Sequence, residues 1–166
     1  TLSLSELQNS DISYLDMSVV PWLKYLDCYN QNGQIDSINL SQNSDLQFLD
    51  ASGNTITYLD LSNNPMLEYL RINFNQLSEI ELSNNSFLKD IWMNNNNLTS
   101  LDLSNNHMLE YLGVNFNQLS EIDLSNKPNL ASVFCEDNNI SVLELNNAPS
   151  LNSLWCSGNQ ISELDV

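Results

Sequence analysis

Met66-Leu67-Glu68-Tyr69-Leu70-Arg71-Ile72-Asn73-Phe74-Asn75-Gln76-Leu77-Ser78-Glu79-Ile80 returns as Met108-Leu109-Glu110-Tyr111-Leu112-Gly113-Val114-Asn115-Phe116-Asn117-Gln118-Leu119-Ser120-Glu121-Ile122. Working outward from this pair, the same frame recurs every 21 residues. From Leu46 it reads Leu49, Ala51, Asn54, Ile56, Leu59, Leu61, Ser62 and Asn64, and it restarts at Leu67, Leu88, Leu109, Leu130 and Leu151. Upstream, Leu23, Leu26, Cys28 and Asn30 keep the frame, then two extra residues around Asn32-Gly33 precede Ile35, Ile38 and Leu40. Leu2, Leu7, Ile12, Leu15 and Met17 make a degenerate opening turn. A period of this length marks stacked units that bury apolar faces against one another. The two quoted stretches lie two units apart, which points to duplication of a two-unit block. The chain therefore divides into a degenerate coil over 1–22, a coil with a two-residue insertion over 23–45, regular coils over 46–150 and an incomplete coil over 151–166.

Within each coil, apolar pairs such as Leu49 with Ala51 and Leu59 with Leu61 are two residues apart, so each pair shares one face of a strand. No stretch has helical spacing, and 21 residues leave no room for a helix. Each coil is expected to carry two short strands facing each other across a dry interior. Stacking at about 4.8 Å per coil predicts a flat or weakly curved rod about 35–40 Å long. The polar repeat Asn54, Asn75, Asn96, Asn117, Asn138 and Asn159 falls where the backbone leaves the first strand. A side-chain amide both donates and accepts there, so these residues should form a ladder between coils. A second series, Asn43, Asn64, Asn85 and Asn106, marks the other corner.

Composition narrows the functions. The formal charge is −17, from 21 acidic residues against Lys24, Arg71, Lys89 and Lys127. Nucleic-acid phosphates and anionic membrane surfaces both call for clustered basic residues, so neither is an expected partner. No apolar run is long enough to span a bilayer, so membrane insertion is not expected, and no basic-then-apolar signal segment opens the chain.

The frame L-x-x-L-x-Φ-x-x-N-x-Φ, followed by x-x-Φ-x-Φ-S-x-N, resembles leucine-rich repeats, in the short bacterial class found in internalin-like and other surface proteins. The resemblance implies a leucine-rich-repeat solenoid, formally of the α/β superfold class but nearly all extended. It would have about 7.5 coils of 21 residues, a parallel β-sheet on one side, short strands or extended segments on the other, and weak curvature. Cys28, Cys135 and Cys156, on the second inward position, match a cysteine variant of that class. Buried thiols are the expectation there, although neighbouring coils would bring Cys135 and Cys156 within disulfide reach. The resemblance further implies a binding protein at the bacterial surface or secreted, with ligands that differ from member to member.

Two outward faces stand out. On the first strand, solvent-facing positions hold Tyr25, Tyr29, Phe48, Tyr69, Trp92, Tyr111, Phe134 and Trp155, with Arg71 the one basic group and Phe74 and Phe116 flanking from the loop. Rings where charges would serve solubility mark a contact surface, and Trp and Tyr carry much interface energy. The candidate ligand-binding residues are therefore Tyr25, Phe48, Tyr69, Arg71, Trp92, Tyr111, Phe134 and Trp155, with Tyr69, Trp92 and Tyr111 as the central cluster. The alternative is that the rings merely ladder along the sheet. On the second strand, Asp16, Asn39, Asp60, Glu81, Asp102, Asp123, Glu144 and Asp165 succeed one another, with Glu79, Glu121 and Glu163 beside them. A solvated face is the expectation, with calcium recruitment as the sharper alternative.

No catalytic, cofactor or metal site is expected. The single histidine, His107, has no nucleophile that the frame would bring close, and zinc-ligand spacing is absent. A flat row of identical carboxylates offers nothing to split their pKa values. The function expected is a non-enzymatic module that binds a protein ligand through the aromatic face. A glycan-binding surface using Asp50, Asn73, Asn94 and Asn115 beside the rings, or a purely architectural spacer, is the alternative. The array stops at Val166 in mid-coil without a visible polar cap, so the expectation is either that the parent chain continues or that copies associate end to end or edge to edge.

Overall fold

The computed structural model describes residues 1–4, 12–29, 34–162 and 164. Leu7, Asn30, the Asn32-Gly33 insertion, Glu163, Asp165 and Val166 lie outside the described residues. One continuous parallel sheet is built from β1 (Leu2–Ser3), β3 (Tyr25–Asp27), β5 (Phe48–Asp50), β6 (Tyr69–Arg71), β7 (Asp90–Trp92), β8 (Tyr111–Gly113), β10 (Ser132–Phe134) and β12 (Ser153–Trp155), in that spatial order. From Leu49 onward the register advances by one repeat per strand, pairing Leu49 with Leu70, then Ile91, Leu112, Val133 and Leu154. The inward residue of each strand from Leu26 to Val133 is fully buried. Burying one such side chain stabilises the fold by about 1.5–3 kcal/mol. Among the described residues there is no helix, and about seven turns of the solenoid are present.

The second flank mixes short strands with extended segments, as the resemblance implied, rather than carrying a strand in every coil. It carries β2 (Tyr14–Asp16) paired with β4 (Ser37–Asn39), and β9 (Glu121–Asp123) paired with β11 (Val142–Glu144). The central segments 59–61, 80–82 and 101–103 are extended without strand pairing. Hydrogen bonding supplies the reason. In the central coils the corner asparagines reach back with their side chains: Asn85 Nδ2 donates to the Leu61 carbonyl at 3.1 Å and Asn106 Nδ2 to that of Leu82 at 3.3 Å. Further on, Lys127 and Ala148 occupy that corner station, and backbone pairing takes over, with Leu124 N–H donating to Glu144 O and Asn126 N–H to Asn146 O, each at 2.8 Å. At the N-terminal end both devices coexist, through Asn43 Nδ2 on Met17 O and Met17 N–H on Asn39 O.

The main asparagine series forms the expected ladder. Asn96 Oδ1 accepts from Leu77 N–H at 3.0 Å, while its Nδ2 donates to Ile72 O at 2.9 Å and Met93 O at 3.2 Å. Asn75 and Asn117 repeat the pattern one coil either side. Buried backbone groups that no strand can satisfy are thereby paired.

Immediately before each ladder asparagine the chain turns through a left-handed residue. Gly53 (φ 72°), Phe74 (54°), Asn95 (56°), Phe116 (55°), Asp137 (52°) and Gly158 (69°) occupy this station in six successive coils. Glycine, asparagine and aspartate tolerate it; a bulky residue is held there at a cost of about 1–2 kcal/mol.

Candidate functional site

Alternation along β3 to β12 turns two side chains per strand outward, and these fall into two columns. The first runs Tyr25, Phe48, Tyr69, Asp90, Tyr111, Ser132 and Ser153; the second runs Asp27, Asp50, Arg71, Trp92, Gly113, Phe134 and Trp155. The candidate aromatics therefore divide into two stacks. Tyr25 and Phe48 lie parallel with centroids 4.1 Å apart, and Phe48 meets Tyr69 at 6.3 Å. Trp92 meets Phe134 at 5.5 Å, and Phe134 meets Trp155 at 6.2 Å. Such spacings favour ring pairs by about 0.5–1.5 kcal/mol each.

Trp92 does not contact Tyr69 and Tyr111 as a three-ring cluster. It reaches Phe134, two coils away, because Gly113 lies between them: a Cβ built there would stand 2.3 Å from Trp92 Cε3. The indole lies flat over the glycine and is half-buried, so the ring faces outward without standing free. Tyr69, Tyr111 and Trp155 remain 39%, 41% and 54% exposed.

Where the aromatics change column, the surface dips. A depression of about 520 Å³ is lined by Tyr29, Asp50, Arg71, Phe74, Asp90, Trp92 and Tyr111, with Ser52 and Asn73 along one side. Arg71 lies 5.7 Å above the Phe48 ring, with its Nε 4.0 Å from Asp90 Oδ1. That oxygen is buried and accepts no hydrogen bond. Burial pushes the Asp90 carboxyl above its ordinary range, against the downward pull of Arg71 and of a hydrogen bond from the Trp92 side chain.

Apolar side chains frame both rims of the sheet. On the leaving rim, Phe74 and Phe116 are exposed at their left-handed turns. On the entering rim, Met66, Phe87 and Met108 are exposed in three successive coils, a row the sequence reading overlooked although its 21-residue spacing was available. Polar groups on this face are largely engaged with one another. Asn73 Oδ1 accepts from Asn94 N–H and Nδ2, Asn94 Oδ1 from Asn115 N–H, and Asn115 Oδ1 from Glu136 N–H. Asp50 Oδ1 accepts from Ser52 N–H at 3.0 Å.

The acidic series on the opposite flank has a structural role that its charge concealed. Asp16, Asp60, Glu81, Asp102 and Asp123 each accept a hydrogen bond from the backbone N–H of the serine two residues on. The hydroxyl of the same serine and this N–H together hold the five carboxyls below their usual range, the hydroxyl leading at Asp16, Asp60 and Glu81 and the N–H at Asp102 and Asp123. Each acid thus closes the corner of its own coil, as Asp and Asn do in short side-chain-to-backbone turns. Among the described residues no three His, Cys, Asp or Glu side chains converge on a metal site. Lys127, at a station that holds asparagine in four earlier coils, is 2% exposed and donates to Ser125 O at 3.2 Å. Burial lowers its ammonium pKa, opposed by Asp123 and Asp102.

Cys28 and Cys135 are buried, Cys156 is partly so, and all three are free thiols. Burial pushes the thiols of Cys28 and Cys135 up to about 12, which keeps them protonated and unreactive. Ala51, Ile72, Met93 and Val114 hold the same station in the coils between.

No protein-family model matches the sequence, nor does any curated protein. Solved structures do match. The functional domain of InlJ from Listeria monocytogenes, which includes a cysteine ladder, aligns with a TM-score of 0.92 and 28% identity, covering 99% of this chain and 36% of that one. An internalin, InlF, from the same organism aligns at 0.76 and 24%, covering 98% and 54%. A chain of the LRIM1/APL1C complex aligns at 0.75 and 22%, covering 93% and 35%. The chain therefore spans between about a third and a half of the length of these proteins. No helix among the described residues is long and apolar enough to cross a membrane. With its coils of 21 residues, its continuous eight-stranded parallel sheet and its asparagine ladder, the chain is a leucine-rich-repeat solenoid whose structural neighbours include internalins.

Proposed function

We propose that this chain is a non-enzymatic protein-binding module that engages its ligand through the outer face of the first sheet, as part of a larger bacterial surface or secreted protein. The observation that carries this reading is the pair of solvent-facing aromatic stacks on one unbroken sheet, Tyr25–Phe48–Tyr69 and Trp92–Phe134–Trp155. Rigid rings contribute much contact area for little ordering entropy, and pre-stacking in the free state lowers that cost further. Arg71 and Tyr111 extend the surface between the stacks. The internalin neighbours support the surface setting, and the LRIM1/APL1C complex is an instance of this fold within a protein–protein assembly. The acid-capped flank is the less suited wall, since its carboxylates already serve its own turns.

Affinity capture from the organism's own surroundings, followed by titration with the purified partner, tests the proposal. Replacing Trp92 and Trp155 together by Ala is expected to leave the circular dichroism spectrum intact and to weaken binding at least a hundredfold, the loss of two interface rings at about 2 kcal/mol each. Unchanged affinity in the double variant would move the contact off this face.

A further inference from the structure

We propose that the depression between the two aromatic stacks receives an arginine side chain from a basic segment of a protein partner, displacing Arg71 from beside Asp90. This rests on the reading of the chain as a protein-binding module and specifies the chemistry of its ligand.

Three features of the depression converge on a planar cation. Its walls are rings, Tyr29, Phe74, Trp92 and Tyr111, and its acids are Asp50 and Asp90. Guanidinium groups stack on aromatic faces and pair with carboxylates at the same time, which a compact ammonium does less well. Second, Arg71 already shows the surface holding such a group, since its guanidinium sits over Phe48 and faces Asp90 without reaching hydrogen-bond distance. The pairing is incomplete: Asp90 Oδ1 is buried and accepts no hydrogen bond, while the Arg71 side chain is 44% exposed. Third, the two outward columns set Asp27, Asp50 and Asp90 against one cation, Arg71, so a basic segment meets complementary charge on this face, and the net charge of −17 speeds its encounter with the chain.

Phe74 supplies one wall of the depression. Its ring lines the site from a left-handed backbone position (φ 54°) that Gly53 and Asn95 occupy without strain in the coils on either side, and the residue is 61% exposed.

The test is an NMR titration of the isotope-labelled chain with the peptide acetyl-Gly-Arg-Gly-amide and with its citrulline counterpart, which keeps the shape and removes the charge. The arginine peptide is expected to shift the Trp92 indole and the Phe74 and Tyr111 amides saturably, and the citrulline peptide to leave them unmoved. Asp90→Asn should weaken binding about fivefold, and Arg71→Gln, which vacates the competing charge, should tighten it by a similar factor, as for a partly exposed charge pair. Asp50→Asn supplies a second acid variant should Asp90→Asn alter the fold, and Asp102→Asn on the opposite flank should change nothing. The proposal is overturned by equal response to both peptides, by no localised response to arginine, by weaker binding in Arg71→Gln, or by an Asp102→Asn effect as large as that of Asp90→Asn. Trp155 lies outside the depression, so Trp155→Ala should spare the peptide. An arginine peptide that fails to bind, beside a partner still lost on ring removal, would refute this proposal and leave the protein-binding module standing.

Discussion

Replacing Asn96 by Asp should give the fold a pH dependence that it lacks at this position, with a sign set by the ladder. One oxygen of the new carboxyl can keep the hydrogen bond from Leu77 N–H, at 3.0 Å in the parent. The other would take the place of Nδ2, which faces the carbonyl oxygens of Ile72 at 2.9 Å, Met93 at 3.2 Å and Asn94 at 3.5 Å. An ionised oxygen there meets three negative dipoles in a site that is 7% exposed, whereas a protonated one donates to them much as the amide does. The folded-state pKa must therefore rise above the unfolded value of about 3.9. A rise of about 3 pH units corresponds to about 4 kcal/mol, at 1.36 kcal/mol per unit. The sign follows from linkage: below the unfolded pKa the variant approaches the parent, and it loses stability as pH rises until the folded pKa is passed. Because pH 4 and pH 7 lie close to the two pKa values themselves, about 3 kcal/mol of this is lost between them, and for a chain of this length each kcal/mol moves Tm by about 2–4 °C, so the gap from the parent should widen by about 6–12 °C over that range. Asn96→Leu is the control. It leaves Leu77 N–H unpaired at any pH and should cost a constant 1–3 kcal/mol or so. Parallel thermal melts of the three proteins across that pH range decide the matter. A constant offset for Asn96→Asp, or a gap that narrows as pH rises, would refute the account of the ladder as a set of donors aimed at buried carbonyls.

Three further outcomes follow from the same geometry. Gly113→Ala should expel the Trp92 indole from its place over the strand, because the new Cβ would lie 2.3 Å from Cε3. The loss of the Trp92–Phe134 contact (about 0.5–1.5 kcal/mol) is offset by the gain from removing a strand glycine (about 0.5–1 kcal/mol), so urea midpoints should barely move while the Trp92 indole N–H resonance shifts and partner affinity falls. Phe74→Asn, which places the residue of the next coil at the left-handed station, should raise stability by about 0.5–1 kcal/mol in urea melts, and a loss would show that the ring packs more than it strains. The carboxyls of Asp60 and Asp123, held low by their serine bonds, contribute stability above the unfolded pKa that is lost as pH falls through the lower folded value, so Asp60→Ala and Asp123→Ala should differ from the parent at neutral pH and converge with it in acid melts.

Periodicity made the fold legible because burial in a solenoid is one decision repeated: once Leu49 points inward, Leu70, Ile91 and Leu112 must follow. Asn96 was readable for the same reason, since a polar side chain at a fixed station beside buried leucines needs fixed partners. The aromatic face was only half readable. Alternation says that Tyr69 and Trp92 both point outward, but they stand in different columns, and which ring touches which depends on the space that Gly113 opens. That glycine was the available signal. The capping role of the acids was legible in their spacing rather than their sign: Asp60, Asp102 and Asp123 each precede a serine by two residues, the pattern of a side-chain-capped turn. Likewise Gly53, Asn95, Asp137 and Gly158 betray a left-handed station at which Phe74 and Phe116 are the anomalies. Lys127 was opaque, because nothing local shows that a lysine at an asparagine corner will fold its charge back on Ser125 O.

The duplicated blocks carry the last step. Residues 66–80 and 108–122 share their rims, Met66 with Met108 and Phe74 with Phe116, and their first-column rings, Tyr69 with Tyr111. They differ where it alters the surface, at Arg71 against Gly113. In the first copy a charged side chain rises beside Asp90 and the surface dips into a depression; in the second the missing side chain lets Trp92 lie flat and join Phe134. Duplication alone would have laid down two equivalent sites along the rod. One substitution pair makes them unlike, with a polar depression at one coil and a closed ring stack at the next, so a ligand spanning both meets a face with direction. Exchanging the two residues, Arg71→Gly together with Gly113→Arg, should therefore abolish partner binding while the leucine core and the asparagine ladder hold the coil stack as before, since both positions fall in the outward column and their backbone bonds to Ala51 and Met93 need no side chain.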